Sequence, residues 1–388
     1  MEKQDKVLKK IKSIGARGSS LNLGTKKNDE CYTDMQDILN ELSQWAALDK
    51  FRGKNIICPC DWDIVDGENI YSITITYKEP DVEVTGNAVF KAVKSIVVDR
   101  YALDVAAEIP MSALRVEHIA LKEDEIEDFL RDKLTCNFVR TLTQNARAWG
   151  IKSITASGYN PANGLGVKFQ DVDYSKYDVC ITNPPFSLYG EFMRAITSKI
   201  DFIVLAPFLD RKSTFIGIPL MEQKAFIGFS GDTTAGYLPM CFRNPTKDNE
   251  YNTKKVACDW VTSFSEAQVA RNQRLAGKTS GITFALYKDD YDTLPGMVMK
   301  DSTTPIKVPC HAIPDDYHGW MFSAINVLTK LDLTAYDWYI TNFTSYYNYE
   351  QPQQSPFLGK VTSKTIHQLS NGKDGFCGIV FRKKQEVK

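Results

Sequence analysis

Short apolar runs and amphipathic helical stretches take turns along residues 138–206, and this alternation constrains the chain more than any other feature. Apolar side chains at helical spacing run from Phe138 to Trp149. Strand-like runs follow at Lys152–Ala156 and Val179–Thr182, then a helical stretch at Gly190–Ile200 and a strand-like run at Asp201–Ala206. Strands joined by helix-length segments pair in parallel, because the connection has to travel back along the sheet before the next strand begins. The expected fold class is therefore α/β, with a sheet of parallel strands. Lys54–Cys58 reads as an earlier strand of that sheet, and Ala225–Phe229 and Ala257–Phe264 as later ones. Ahead of them, Met35, Ile38, Leu39, Leu42, Trp45 and Leu48 recur at helical spacing within Asp34–Leu48.

Texture divides the rest of the chain. Residues 1–28 are polar, with Gly15, Gly18, Ser19 and Ser20 breaking a lysine-rich pattern, and read as a flexible basic arm. Residues 66–135 read as an insertion, in which alternation such as Ile70-Tyr71-Ser72-Ile73-Thr74-Ile75 gives way to an acidic helix near Lys122–Lys133. From about Glu266 the pattern shifts to short strands, prolines and aromatics, among them Tyr336, Trp338, Tyr339, Tyr346 and Tyr347. This sets a C-terminal region, 266–388, apart from a main domain at 29–265.

With 43% hydrophobic and 24% charged residues over 388 positions, the chain has an ordinary globular composition, which excludes disorder as its overall state. No stretch reaches the roughly 20 apolar residues of a membrane span, and the first residues lack the apolar core of a secretory signal. A soluble, cytoplasmic chain with no membrane partner is expected. Its nine cysteines sit mostly in apolar runs, as in Asp178-Val179-Cys180-Ile181, and read as reduced thiols. A net charge of -1 offers no overall basic field. A nucleic-acid partner would have to be held by local clusters, of which Arg382, Lys383, Lys384 and Lys388 form one and Lys9, Lys10, Lys12 and Arg17 another.

The apolar run Val179–Thr182 leads straight into Asn183-Pro184-Pro185-Phe186. In an open parallel sheet, ligands bind outside the carboxyl ends of the strands, which is where this tetrapeptide falls. An amine on an aromatic ring is a poor nucleophile because its lone pair is delocalised. The side-chain oxygen of Asn183 and the carbonyl of Pro184 can accept its two hydrogens, the second fixed in direction by the locked proline φ, and so favour a pyramidal nitrogen. Phe186 offers a face for a planar base, and stacking of that kind helps offset the cost of turning a base out of a duplex. Asn-Pro alone would read as a turn. The full tetrapeptide on an apolar strand is far more specific, and direct attack by the amine leaves Cys180 a strand residue, not a nucleophile.

These residues resemble the EcoRI-type family of adenine-specific DNA methyltransferases. The matching stretches are Asn28-Asp29-Glu30-Cys31-Tyr32-Thr33, Ile57-Cys58-Pro59-Cys60-Asp61, Cys136-Asn137-Phe138, Thr182 to Leu188, Ile313 to Gly319 and Phe381-Arg382-Lys383-Lys384. The resemblance implies a Rossmann-like methyltransferase domain that uses S-adenosyl-L-methionine, followed by a target-recognition region that reads double-stranded DNA. It leaves a companion restriction endonuclease open.

The cofactor's hydroxyl, ammonium and amino groups call for carboxylates at strand ends. Asp61, directly after a strand, is the first candidate, with Cys58 and Asp63 beside it. The usual glycine-rich loop is replaced by Cys58-Pro59-Cys60-Asp61-Trp62-Asp63. By the resemblance, Asp29, Glu30, Tyr32 and Thr33 contact the cofactor, although Thr33 and Asp34 also read as helix caps. Asp171 stands where related enzymes keep an acid for the cofactor's adenine, and Asp173 competes with it. After the next strand, Ser157-Gly158-Tyr159 presents no acid for the ribose. No cysteine or histidine spacing matches a metal site. The same chemistry on RNA, on the amino group of cytosine or on a protein glutamine stays open, as does a silent DNA-binding scaffold.

Overall fold

The computed structural model describes residues 32–62, 70–78, 92–101, 116–160, 165–207, 214–230, 241–243, 253–255, 258–275, 288–294, 297–310, 312–314, 316–332, 334–340 and 378–384. The protein is a mixed α/β chain. Among the described residues, nine strands form one sheet: β1 (Asn55–Cys58), β2 (Ile70–Tyr77), β3 (Val93–Tyr101), β4 (Val116–Ala120), β5 (Ser153–Ser157), β6 (Val179–Thr182), β7 (Asp201–Pro207), β8 (Phe226–Ile227) and β9 (Cys258–Thr262). Their spatial order is β8-β9-β7-β6-β1-β5-β2-β3-β4. The middle four, β7, β6, β1 and β5, run parallel, and the strands outside them pair antiparallel.

Of the parallel strands, β1, β6 and β7 are mostly apolar because both faces are covered, while β5 alternates Ser153, Thr155 and Ser157 with Ile154 and Ala156. Val179, Ile181, Ile203, Leu205, Ile56 and Cys58 enter one apolar cluster, while Cys180, Phe202, Val204 and Ile57 enter another. The first cluster takes in the buried stripe of α1 (Met35–Ala47) and residues of α2 (Glu123–Lys133) and α3 (Asn137–Asn145). The second takes in α4 (Tyr189–Ile196) and residues of α5 (Thr214–Met221). Two helices stop earlier than their periodicity predicts. Ser198 adopts φ 68 and turns the chain after α4, and Gly150, at φ +66, closes the turn after α3.

The stretch expected as an insertion extends the sheet. β2 pairs antiparallel with β5, and the Thr74 and Thr155 hydroxyls lie 3.0 Å apart across that pair. β3 and β4 continue outward, covering donors and acceptors that would otherwise be exposed at an edge.

The change of texture near Glu266 is not where the packing changes. Helix α6 (Glu266–Leu275) turns back to the large sheet, where Arg271 Nη2 donates to the Gly228 carbonyl at 2.7 Å. Glu41 of α1 holds the same turn, accepting from Trp45 Nε1 at 2.7 Å and from the Phe229 and Ser230 amides at 3.0 and 2.5 Å. Further on, β10 (Ile306–Lys307), β11 (Met321–Ala324), β12 (Tyr336–Ile340) and β13 (Gly378–Lys383) form a four-stranded sheet in the order β10-β11-β13-β12. Its Met321, Ile340, Ile379 and Phe381 join the cluster that contains Cys180 and Phe192, so the two sheets share a core.

Candidate functional site

The chain lays down β1, passes to β5 on one side of it, then returns to β6 and β7 on the other. Strand order thus reverses between β1 and β6. In open α/β sheets the ligand crevice lies at such a switch point, outside the carboxyl ends. β1 and β6 pair directly, with Ile57 in register with Cys180, so their carboxyl ends are neighbours. One end leads to Asp61 and the other to Asn183.

Asp61 is withdrawn from water at 5% exposure. Its amide donates to the Ser157 carbonyl at 3.1 Å, which ties the loop after β1 to the end of β5. The Cys136 thiol lies 3.6 Å from its Oδ1 as a donor, and Oδ2 is shielded from solvent. Gly158 makes this approach possible, since a Cβ there would sit 2.2 Å from the Trp62 carbonyl oxygen. On its outer side Trp62 stacks on Phe129 of α2, centroids 6.4 Å apart and planes 6° from parallel.

Asn183 is half-buried, with its Oδ1 out of contact with solvent. Pro184 is buried, and Pro185 and Phe186 are half-buried. A single 3-10 turn, Phe186–Leu188, follows, closed by the Leu188 amide on the Pro185 carbonyl at 2.9 Å. Phe186 touches both apolar clusters, which puts its ring over the carboxyl edge where the two faces of the sheet meet. The thiols of Cys58 and Cys180 are pushed well above their ordinary value, first by burial, with the charge of Asp61 adding to it. Both are neutral packing groups near neutral pH.

The other candidates are placed unevenly. Thr33 is buried in a short strand, Tyr32–Thr33, that pairs antiparallel with Cys241–Arg243. Asn137 Nδ2 donates to its carbonyl at 2.8 Å. Asp29, Glu30 and Asp63 lie outside the described residues. Asp171 is exposed at the end of the turn Phe169–Asp171. Its competitor Asp173 is engaged in capping: the Ser175 hydroxyl 2.6 Å away is the main cause holding its carboxyl below the ordinary range. Among the described residues, no three potential ligand side chains group as a metal site.

Arg382, Lys383 and Lys384 belong to the C-terminal sheet. Arg382 Nε lies 3.2 Å from Asp337 Oδ2, one terminal nitrogen 3.7 Å from Asp301 Oδ2, and its guanidinium 4.4 Å over the Trp320 ring. Lys383 is half-buried opposite Tyr336, and Lys384 is exposed.

Sequence reading missed the roles of Cys136 and Asn137. Their stretch stood out by resemblance, yet the two segments they touch lie far away in the chain. The one local signal is a cap out of place: the N-cap of α3 is a cysteine, and the asparagine that would cap well comes one position later. Compared with family models, curated proteins and solved structures, the chain has no match.

Proposed function

We propose that the chain is a site-specific DNA methyltransferase that moves a methyl group from S-adenosylmethionine to the exocyclic N6 amino group of adenine, acting on a base turned out of the duplex. One observation carries this reading: an acid-bearing loop and an Asn-Pro-Pro-Phe tetrapeptide, distant in sequence, end neighbouring parallel strands at one switch point.

The residues present suit such a cofactor. Asp61 is an acid kept out of bulk water beside a strand end, in a loop that the close packing of Trp62 on Gly158 holds in place. Asp61, Tyr32 and Thr33 would hold the cofactor, with Asp29, Glu30, Cys58, Asp63 and Asp171 as further contacts. When bound, S-adenosylmethionine supplies an electrophilic methyl group on sulfur. Asn183 accepts a hydrogen bond from one N–H of the target amine through its side-chain oxygen and the Pro184 carbonyl accepts one from the other, and the methylated nitrogen keeps one hydrogen and releases the second as a proton to solvent. Because Asn183 Oδ1 lies out of solvent, presenting it means rotating the amide about its terminal bond, a torsion with broad wells. Phe186 stacks on the extruded base, a contact worth about 1–3 kcal/mol. In this reading the C-terminal region recognises DNA, with Lys383 and Lys384 as phosphate contacts and Arg382 held beside them.

The test is transfer of tritiated methyl groups from S-adenosylmethionine to duplex DNA, RNA and ribosomal protein, followed by base analysis of the product. Label appearing as N6-methyladenine in DNA is expected. Label in RNA, in protein or on cytosine would move the same chemistry to that substrate, and no transfer to any of them would leave a silent scaffold.

A further inference from the structure

Cys136 and Asn137 are consecutive residues at the start of α3, and each turns its side chain away from its own helix. As N-cap, Cys136 makes no side-chain bond to its helix, and its thiol donates to Asp61 Oδ1 at 3.6 Å. Asn137 donates through Nδ2 to the Thr33 carbonyl at 2.8 Å. Helix starts favour side chains that accept from the helix's own amides, so this start gives up local stability for two long-range links. The links reach two segments that nothing in the sequence brings together. One is the loop after β1. The other is the short strand Tyr32–Thr33 that leads into α1, whose first turn is capped by Asp34 accepting from the Gln36 amide at 2.8 Å.

We infer that Cys136 and Asn137 form a bracket that fixes the separation of the Thr33 segment and the Asp61 loop, and that they act as positioning residues for the cofactor. The inference rests on reading these two segments as cofactor-binding. α3 is anchored through Phe138, Val139 and Leu142, which pack into the first apolar cluster. Two groups one residue apart on such a helix set the spacing of whatever they hold. Loss of either link would loosen one wall of the crevice and leave the tetrapeptide, on the far side of β1, unmoved. Affinity should therefore suffer while the chemical step does not.

The experiment uses the full chain and three variants, Asn137→Ala, Cys136→Ala and Cys136→Ser. Calorimetry measures binding of S-adenosylmethionine, steady-state assays separate KM from kcat, and amide hydrogen exchange reports on residues 32–34 and 61–62 without any ligand. Asn137→Ala should raise the dissociation constant about fivefold, the size of one net hydrogen bond, with kcat within about twofold of wild type. Cys136→Ala should weaken binding similarly, and Cys136→Ser, which keeps a donor, should restore it. Exchange should quicken at 32–34 in Asn137→Ala and at 61–62 in Cys136→Ala. Unchanged affinity and exchange in both alanine variants overturn the bracket, as does a fall in kcat at unchanged affinity. If the wild type itself binds no S-adenosylmethionine, the proposed function fails, and the exchange data still decide whether the bracket exists.

Discussion

The two ends of β1 and β6 carry the same kinds of residue and use them differently. At the amino end, Asp178 accepts from the Asn55 amide at 2.7 Å and from its side chain at 3.3 Å, while Asn55 Oδ1 accepts from the Ser153 hydroxyl at 2.8 Å. Three neighbouring strands are cross-linked there by their own polar groups. At the carboxyl end an acid and an amide, Asp61 and Asn183, stand after the same two strands. The acid faces a thiol, a weak donor, where its amino-end counterpart faces a backbone amide. Polar groups that satisfy one another across strands hold the sheet together. The acid and the amide at the switch point follow neighbouring strands and are the groups to which the proposed function gives a role.

The largest expected effect breaks the carboxyl end. Asn183→Ala should lower kcat for methyl transfer by about 10²–10³, the size typical for one preorganised transition-state hydrogen bond, with the dissociation constant of S-adenosylmethionine unchanged. Near-normal turnover would remove Asn183 from the mechanism. Next come the two acids. Asp61→Ala should weaken cofactor binding roughly ten- to hundredfold, as expected for loss of a charge-assisted contact, with little change in melting temperature. Asp178→Ala should do the reverse, costing about 1–2 kcal/mol of stability and leaving affinity alone. Should Asp178→Ala impair binding as much as Asp61→Ala does, the distinction between the two ends is wrong.

Phe186→Ala should weaken transfer by about 1–3 kcal/mol, and Phe186→Trp less. Emission from 2-aminopurine at the target position checks it, because a base that stays stacked gives no rise with the wild type. The smallest effects sharpen the contrast within the C-terminal sheet. Arg382, held by two aspartates and a tryptophan, should on replacement by alanine cost about 1 kcal/mol of stability. Lys384→Ala should leave melting unchanged and reduce the slope of log affinity for DNA against log salt by about 1, the signature of one phosphate contact. Equal salt slopes for wild type and Lys384→Ala would make that lysine a solvated surface group.

Much of the central sheet can be read from the sequence because each parallel strand declares itself locally. Val179–Thr182 is buried on both sides and is apolar for that reason, and the tetrapeptide follows it directly. Partnership between distant segments is not local. Nothing in Ile70–Tyr77 says that it pairs with Ser153–Ser157, since an alternating strand suits any half-covered edge. Glu41 shows a different limit. It shares the α1 stripe with Ile38, Leu42 and Trp45, and its buried place follows from amides at 229 and 230 that no helical pattern reveals. Cys136 and Asn137 escape for the same reason, as their partners at 61 and 33 precede them by most of a domain.

The core shared by the two sheets bears on how such a chain can be rebuilt. Cys180, Phe192 and Val204 are covered together with Met321, Ile340 and Phe381, so the C-terminal sheet is not a cassette to be unplugged without baring one face of the large sheet. A sheet grafted in its place would have to match the contour beneath it.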